Sequence, residues 1–317
     1  MRFVFRADAS PTIGSGHVMR SSAIAEEAIA RGIPSVFIGT ISELPWVSDH
    51  IHRLGFSDIL FEASSFKSDS NEDILVLDSY AIPIGNGFIQ PPKWRGIVNI
   101  FDESTPQYQS DLRIHPGLTR AWEKSPGIRT LSGPAYTPLR KSIRKFESSE
   151  SIKHLEIAVV GGGADNTHFV LAIASALLAT KTNFHANLFV LDREILKLDL
   201  DGRFSIIPIG QGLDEIANKV SLVFTTASTT SLEFLARGAT VAIGCSVENQ
   251  ELYFKELIHG NYAAPVGEFL NNNWNLDYEK INELVESEVL RGTLKANSAN
   301  LIDLNGAKRI VDEILNL

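Results

Sequence analysis

The chain has 317 residues, 44% of them hydrophobic, a length that favours two globular domains because one hydrophobic core seldom grows beyond ~250–300 residues. Its net charge of −9, without any cluster of lysine and arginine, argues against nucleic acid as a partner. No apolar run approaches the ~20 residues of a membrane span and the first strand leaves no room for a signal peptide, so we expect a cytoplasmic protein without a membrane partner.

Short β-branched and aromatic segments alternate with helical patterns along the first half, which is typical of a parallel α/β domain. The strands that we predict there are Phe3–Arg6, Ser35–Gly39, Ile74–Leu77 and Ile97–Phe101. The helix after the first strand should run from about Gly16 to Arg31 and end at Gly32, which suits a left-handed helix cap. The segment from Ser104 to Thr137, rich in proline and glycine, is expected to be irregular.

The polar, serine-rich segment Phe146–His154 predicts a linker, which divides the chain into domains at 1–148 and 149–317. A second α/β series follows, with a helix at Thr167–Leu178 and strands at Glu156–Val160, Ala186–Leu191, Phe204–Ile209, Leu222–Thr225 and Thr240–Gly244. The last helix, Asn300–Leu317, is amphipathic and either covers the second domain or crosses back to the first. Both domains are expected to be Rossmann-like α/β folds whose strands end at a shared cleft, where ligands of open sheets bind.

The first predicted strand is joined to an alanine-rich helix by the sequence TIGSGHVMR. Gly14 and Gly16 permit positive φ and close approach of the backbone, and a helix start presents unpaired amide groups. The motif is no dinucleotide fingerprint, because Met19 stands where a third glycine belongs, and it lacks the lysine of a phosphate loop. Two interpretations of His17 stay open: a structural residue in a tight turn, or a neutral imidazole at the cleft that serves as a general base.

Three motifs of the second half follow predicted strands and suit a nucleotide. In VVGGGADNTH, Gly162 and Gly163 have no side chains, so only their backbone could contact a ligand, and Asp165 follows them. In TTASTTSLEFLARG, hydroxyl groups around Ser228 open a helix whose amides and hydroxyls suit a diphosphate. Each motif also has an ordinary structural explanation as a turn or a helix cap. The other candidate residues of these motifs and of VENQELYF are Ala227, Thr229, Glu233, Asn249 and Gln250.

The sequence offers no support for a metal, a cofactor or a serine nucleophile, and we predict none of them. Cys245 is the single cysteine, which excludes an internal disulfide and metal sites built on cysteine pairs. His50 and His52 are two residues apart and cannot share a helix face, and no Gly-x-Ser-x-Gly motif is present. The histidines that we expect to be structural are His115, His154, His185 and His259.

Taken in order, these motifs resemble the family of UDP-2,4-diacetamido-2,4,6-trideoxy-β-L-altropyranose hydrolases of pseudaminic acid biosynthesis, with related spore-coat polysaccharide proteins. The opening motif is the most specific part and matches at Arg6, Asp8, Ile13–Gly14, Gly16–His17 and Arg20. The other matching segments are LDSY at Leu77–Tyr80, GPAYTPLR at Gly133–Arg140, GGGAD at Gly161–Asp165, ASTTSLE at Ala227–Glu233 and ENQ at Glu248–Gln250. Together they extend from residue 1 to about residue 255.

This resemblance implies the architecture of the B-type glycosyltransferases and the inverting, metal-independent hydrolysis of a UDP-sugar, a small-molecule substrate. It makes His17 the general base that activates water. It implies a nucleotide site made by Gly162, Gly163 and Asp165, by Ala227, Ser228 and Thr229 at the diphosphate, and by Glu233 at the ribose. It implies further substrate contacts at Arg6, Asp8, Gly14, Gly16, Arg20, Asp78, Tyr80, Tyr136, Arg140, Asn249 and Gln250.

The chain departs from the family pattern mainly in its first half. It has Asp78–Ser79–Tyr80 where Asp-His-Tyr is frequent, and Asp102–Glu103 in place of two aspartates. The expectation of nucleotide-sugar chemistry is therefore firmer than the identity of the sugar. Two other functions stay open: a glycosyltransferase in which His17 activates an acceptor hydroxyl, and a non-catalytic protein that binds a nucleotide sugar. A monomer is compatible with the sequence.

Overall fold

The structure is a computed structural model, and it describes residues 1–56, 58–60, 66, 72–79, 94–102, 109–119, 128–145, 154–162, 167–191 and 198–317. Three predicted site residues, Tyr80, Gly163 and Asp165, lie outside the described residues, as does most of the predicted linker. Contacts between residues divide the chain into two compact units. Unit 1 comprises Met1–Lys141 with Asp303–Leu317, and unit 2 comprises Ser142–Ile302.

Unit 1 is built on a parallel sheet of seven strands. Its elements are β1 (Arg2–Ala7), α1 (Gly16–Ala30), β2 (Ser35–Ile38), α2 (Pro45–Arg53), β3 (Asp58–Leu60), β4 (Asp73–Asp78), β5 (Gly96–Ile100), β6 (Leu112–His115), β7 (Arg129–Ser132) and α9 (Gly306–Ile314). The strand order is β3-β2-β1-β4-β5-β6-β7, so β1 and β4 are neighbours at the centre. Every residue of β4 is buried, as expected for a strand of a parallel sheet with both faces covered.

Helix α1 follows from the local sequence and forms as predicted. Its buried side includes Val18, Ile24 and Ala28, and it packs against β1 and β4. Gly32, one residue beyond the cap residue Arg31, has a φ of 75°, a left-handed conformation that glycine adopts without strain. The apolar stripe therefore fixes which side of α1 faces the sheet, and with it the direction of the polar residues in its first turn.

Unit 2 repeats this plan with a second seven-stranded sheet. Its elements are β8 (Leu155–Val160), α3 (Thr167–Leu178), β9 (Phe184–Val190), β10 (Phe204–Pro208), α4 (Leu213–Ala217), β11 (Leu222–Thr226), α5 (Thr229–Arg237), β12 (Thr240–Cys245), α6 (Glu251–His259), β13 (Ala264–Leu270), β14 (Asn273–Leu276), α7 (Tyr278–Glu286) and α8 (Glu288–Ser298). The strand order is β10-β9-β8-β11-β12-β13-β14, in which the pair β13–β14 is antiparallel. A core of apolar side chains from α3, α7 and the sheet, including Phe169 and Phe224, lies on one face.

Two predictions about the chain's organisation are wrong. The segment 104–137, predicted to be irregular, contains β6 and β7, which are too short and too polar to show a strand pattern alone. Their neighbours in the sheet supply the hydrogen-bonding partners that stabilise them. The last helix begins at Gly306 rather than at Asn300, because the side chain of Asp303 accepts hydrogen bonds from the Asn305 amide and from Arg309. Strands β13 and β14 were not predicted.

The final helix α9 belongs to unit 1 and packs against α1. Arg309 donates a hydrogen bond of 2.9 Å to the carbonyl oxygen of Ala135, and Arg31, the cap residue of α1, donates to Asp312 at 2.6 Å. A Cβ atom at Gly306 would lie 1.9 Å from the carbonyl oxygen of Thr137, so this close approach requires glycine. Among the described residues, no helix combines the length and the apolar character needed to cross a bilayer.

Candidate functional site

The loop between β1 and α1 places the first turn of α1 at the carboxyl end of the central strands. Gly14 has a φ of 85°, and its amide donates a 2.7 Å hydrogen bond to the carbonyl oxygen of Ser10. The resulting tight turn reverses the chain so that α1 begins at Gly16. His17 and Arg20 are three residues apart on this helix, and both side chains therefore point to the same side.

His17 is hydrogen-bonded to a buried carboxylate. Its Nδ1 atom lies 2.6 Å from Oδ1 of Asp78, the last residue of β4. Asp78 is completely buried, and His17 is 7% exposed. A carboxylate only accepts hydrogen bonds, so Nδ1 carries the proton of the neutral ring and Nε2 carries the lone pair. The sequence did not predict this pairing, because the two residues are far apart along the chain.

Arg20 connects Asp78 to a second carboxylate. Its Nε and Nη2 atoms donate to the two oxygens of Asp78 at 2.5 and 2.7 Å. Its Nη1 and Nη2 atoms donate to the two oxygens of Asp102 at 2.5 and 3.0 Å. Arg20 is 4% exposed, so these bonds satisfy a guanidinium that water hardly reaches. We call His17, Arg20, Asp78 and Asp102 the buried charge network.

The network controls the ionisation of its members. Burial by itself would raise the pKa of Asp78, but the charge of Arg20 and the hydrogen bonds from Arg20 and His17 outweigh burial, and the pKa is lowered. Burial opposes the charge of Arg20 as well, yet Asp102 and Asp78 raise the pKa of this guanidinium well above its ordinary value. Asp78 is therefore a carboxylate and Arg20 a cation at neutral pH.

Sequence reasoning missed Asp102 of this region and the bonding partner of His115. Asp102 was noted only as a departure from the family pattern, although it follows the apolar strand β5 at the carboxyl edge of the sheet. His115, expected to be structural and without a visible partner, is fully buried with its Nε2 atom 2.5 Å from the carbonyl oxygen of Asp102. The amide of Gly117 donates to its Nδ1 atom at 3.4 Å, so Nε2 carries the proton.

The other predicted residues of unit 1 lie elsewhere in it. Arg6 and Asp8 form a buried ion pair at the end of β1, with Nη1 and Oδ1 2.5 Å apart. Asp8 also accepts from the hydroxyl of Ser79 at 2.8 Å, and its pKa is lowered because these bonds outweigh burial. Tyr136 is half-buried in a short helical turn beside α9, and Arg140 is half-buried a few residues further on. The structure thus gathers His17, Arg20 and Asp78 into one network and gives the remaining residues separate environments.

In unit 2, three loops meet at the carboxyl ends of the neighbouring strands β8, β11 and β12. Gly162 has a φ of 93°, and a Cβ atom there would lie 3.0 Å from Oγ1 of Thr226 and 3.3 Å from Oγ of Ser228. The Thr226 hydroxyl donates to the carbonyl oxygen of Gly161 at 3.2 Å. The side chain of Gln250 joins this group, because its Nε2 donates to Thr226 at 3.4 Å. Backbone atoms and hydroxyls therefore line this edge of the sheet.

The helix α5 begins at this edge, where Ser228 is its N-cap residue. Ala227 is fully buried, and its amide is bonded to the carbonyl oxygen of Gly244 at 2.9 Å, so this residue anchors the loop. Thr229 opens the helix, whose first amides lack partners within it and favour a negatively charged group. Glu233 lies one turn further and is buried, while Asn249 is exposed in the loop after β12.

Gln250, which the resemblance predicts to contact the substrate, is hydrogen-bonded to neighbouring residues of unit 2. Its Oε1 atom accepts from both the amide and the hydroxyl of Ser246, each at 3.0 Å, and its Nε2 atom donates to Thr226. The first two bonds close the turn after β12, and the third joins this turn to the end of β11. Within the described ranges, no group of three or more His, Cys, Asp or Glu side chains is arranged to hold a metal ion.

The fold defines a class of protein. Two Rossmann-like domains with these sheets form the architecture of the B-type glycosyltransferases. MurG of Acinetobacter baumannii superposes with a TM-score of 0.64 at 12% identity, covering 100% of both chains. UGT89C1 of Arabidopsis thaliana in complex with UDP gives a TM-score of 0.69 at 12% identity and covers 99% of each chain.

A particular relative is similar in sequence. The UDP-2,4-diacetamido-2,4,6-trideoxy-β-L-altropyranose hydrolase of Campylobacter jejuni is 22% identical over 267 residues, which covers 79% of this chain and 94% of that enzyme. The resemblance to this family that the motifs indicate is thereby confirmed. No protein-family model matches the chain.

The buried charge network predicts a pH-dependent stability. Because the folded-state pKa of Asp78 lies below its unfolded value of about 3.9, its carboxylate stabilises the fold above that pH. That contribution is lost as the pH falls through the lower folded-state pKa. Asp78→Asn should therefore reduce the free energy of unfolding by about 3–5 kcal/mol near neutral pH and by progressively less in acid. Urea unfolding of the parent protein and the variant, monitored in unit 1 through hydrogen exchange of the β1 and β4 amides, measures this difference.

Asp201→Asn is the control, because Asp201 is an exposed aspartate that pairs with the half-buried Arg203. Exposed carboxylates contribute little to stability, so this variant should lose much less stability than Asp78→Asn at neutral pH. A deficit of Asp78→Asn that stays constant from neutral to acidic pH would contradict the assignment of a carboxylate at position 78.

Proposed function

We propose that this protein is an enzyme acting on a nucleotide sugar, and that it hydrolyses a UDP-linked 2,4-diacetamido-trideoxy sugar to UDP and the free sugar. Three observations support the proposal: the similarity to the Campylobacter jejuni hydrolase over 94% of that enzyme, the B-type glycosyltransferase fold, and the environment of His17. The reaction would belong to the biosynthesis of a pseudaminic-type acid in the cytoplasm.

The observation that carries the proposal is the hydrogen bond between His17 and Asp78. It holds the proton on Nδ1, so that the lone pair of Nε2 can accept a proton from water. The Asp78 carboxylate also stabilises the imidazolium that forms when Nε2 takes up this proton. A histidine that only stabilised a turn would not need a completely buried carboxylate behind it.

In the proposed reaction, a water oxygen attacks the anomeric carbon on the face opposite to UDP while His17 removes its proton. The bond between the anomeric carbon and the UDP oxygen breaks, and its electron pair leaves with UDP. Attack from the opposite face inverts the anomeric configuration, as one base and one water molecule require. Arg6 and Asp8 at the end of β1 are proposed to contact the sugar.

The leaving diphosphate is proposed to bind at the start of α5. The helix amides at Thr229, the hydroxyl of Ser228 and the backbone at Gly162 offer hydrogen-bond donors without a lysine or arginine. Glu233, one turn into the helix, is proposed to accept hydrogen bonds from the ribose. A stable leaving group needs no further acid, which agrees with a site in which His17 is the proposed base.

Isotope labelling tests the reaction. The protein is incubated with a panel of UDP-linked 2,4-diacetamido-2,4,6-trideoxyhexoses in ¹⁸O-enriched water, and the products are analysed by NMR and mass spectrometry. We expect the label in the free sugar and none in UDP. The sugar should be released with the anomeric configuration opposite to that of the substrate. Label in UDP would show cleavage of the P–O bond, and no release from any member of the panel would contradict hydrolysis of this substrate class.

His17→Asn separates binding from chemistry. Because the proposed UDP site lies in unit 2, we expect its Kd for UDP, measured by calorimetry, to match that of the parent protein. Loss of the base should lower kcat by about 10²–10⁴-fold. His52→Asn, which changes an exposed histidine of α2, is the control and should remain fully active. Full activity of His17→Asn would show that another group is the base.

Gly162→Ala tests the nucleotide site. The φ of 93° is strained for alanine, and the new methyl group would press against Thr226 and Ser228. We expect Kd for UDP and KM to rise about tenfold, or about 1.4 kcal/mol, with a smaller change in kcat. Gly202→Ala is the control, because no heavy atom lies within 4 Å of a Cβ atom there. Equal UDP affinity in both variants would place the nucleotide elsewhere.

A glycosyltransferase is the second candidate, because solved structures with this fold include glycosyltransferases such as CalG4, with a TM-score of 0.59 at 15% identity. In that reaction His17 would remove a proton from an acceptor hydroxyl instead of water. Release of free sugar at the same rate with and without a panel of acceptor alcohols would favour the hydrolase. Sugar release that depends on an acceptor, with the sugar found on it, would favour the transferase.

A further inference from the structure

Asp102 lies just beyond β5 and is linked through Arg20 to Asp78, the hydrogen-bond partner of His17. We propose that Asp102 is a positioning residue: through Arg20 it fixes Asp78 beneath His17, and its negative charge favours proton uptake by His17. The catalytic meaning of this role rests on the proposed function, whereas the effect on His17 can be measured in the absence of any substrate.

The positioning follows from the shape of the guanidinium. Arg20 holds Asp78 with Nε and Nη2 and holds Asp102 with Nη1 and Nη2, so one nitrogen is shared by both carboxylates. A guanidinium is planar and rigid, and hydrogen bonds to two carboxylates leave it little freedom to rotate. Removing Asp102 would release one side of this arrangement and let Asp78 move relative to His17.

Asp102 itself is held by β6. The Nε2–H group of His115 donates to its backbone carbonyl oxygen at 2.5 Å, and the Gly117 amide holds the other nitrogen of that ring. Burial, which outweighs the neighbouring Asp102, lowers the pKa of His115, so this ring is neutral at pH 7 and adds no positive charge. Its role is therefore to fix the start of the loop that carries Asp102.

The buried charges around His17 have a net negative sum. The described titratable groups around it include Arg20 of α1, Asp78 of β4, Asp102 after β5, His115 of β6, the ion pair Arg6–Asp8 at the end of β1, and His50 of α2, which contacts Ser22. Arg20, Asp78 and Asp102 together carry one negative charge in excess. Protonation of His17 brings this sum to zero. Without Asp102, protonated His17, Arg20 and Asp78 together would carry one buried positive charge.

The test uses the full-length protein with ¹⁵N- and ¹³C-labelled histidine and follows the NMR signals of His17 through a pH titration. Asp102→Asn should move the midpoint of His17 to lower pH by about half a unit or more, because a nearby negative charge is removed. Asp73→Asn is the matched control: Asp73 is a buried aspartate at the other end of β4, paired with Arg2 at 2.6 Å. Equal midpoints in the two variants would overturn the proposal.

Arg20→Lys provides a second route in case Asp102→Asn does not fold. Lysine keeps the positive charge but cannot hold two carboxylates with a planar fork. The ¹⁵N shifts of His17 should then report a mixture of the two neutral tautomers in place of the single Nδ1–H form. A single unchanged tautomer in Arg20→Lys would contradict the positioning role. A shifted His17 midpoint in Asp102→Asn, in a parent protein that releases no sugar, would support this inference and overturn the proposed function.

Discussion

A buried arginine that holds two carboxylates organises unit 1. Arg20 has almost no contact with water, and it is tolerated there because Asp78 and Asp102 accept hydrogen bonds from it on two sides. Both aspartates stand at carboxyl ends of parallel strands, and Arg20 stands on the helix that crosses over them. The position of His17, one turn earlier on the same helix, depends on this arrangement.

The two units use different chemistry at equivalent edges of their sheets. Unit 1 concentrates ionised side chains, which hold a histidine in one tautomer. Unit 2 presents a glycine backbone, hydroxyls and a helix start, and Gln250 joins the turn after β12 to the end of β11. Such uncharged donors suit a phosphate group, whereas a buried carboxylate beside an imidazole suits proton transfer. This division underlies the proposal of a base in one unit and a nucleotide site in the other.

Local sequence patterns were sufficient to predict the elements whose own residues show a helix or strand pattern. Helix α1 has an alanine-rich apolar stripe and a terminal glycine, and its bounds were predicted almost to the residue. Strands β6 and β7 have four residues each and include an arginine, so nothing in their sequence separates them from a loop. They are strands because neighbouring strands complete their hydrogen bonds, and that information is not local.

The sequence by itself determined the α/β class, the order of the glycine- and hydroxyl-rich loops, and His17 as the residue to examine, because each of these depends on short-range pattern. Only the tertiary structure decided what surrounds His17. Asp78 and Asp102 lie 61 and 85 positions along the chain from it, and they meet Arg20 because α1 packs on β4, which is adjacent to β5 in the sheet. The state of a histidine depends on the charges within a few ångströms, and those are set by how distant segments pack.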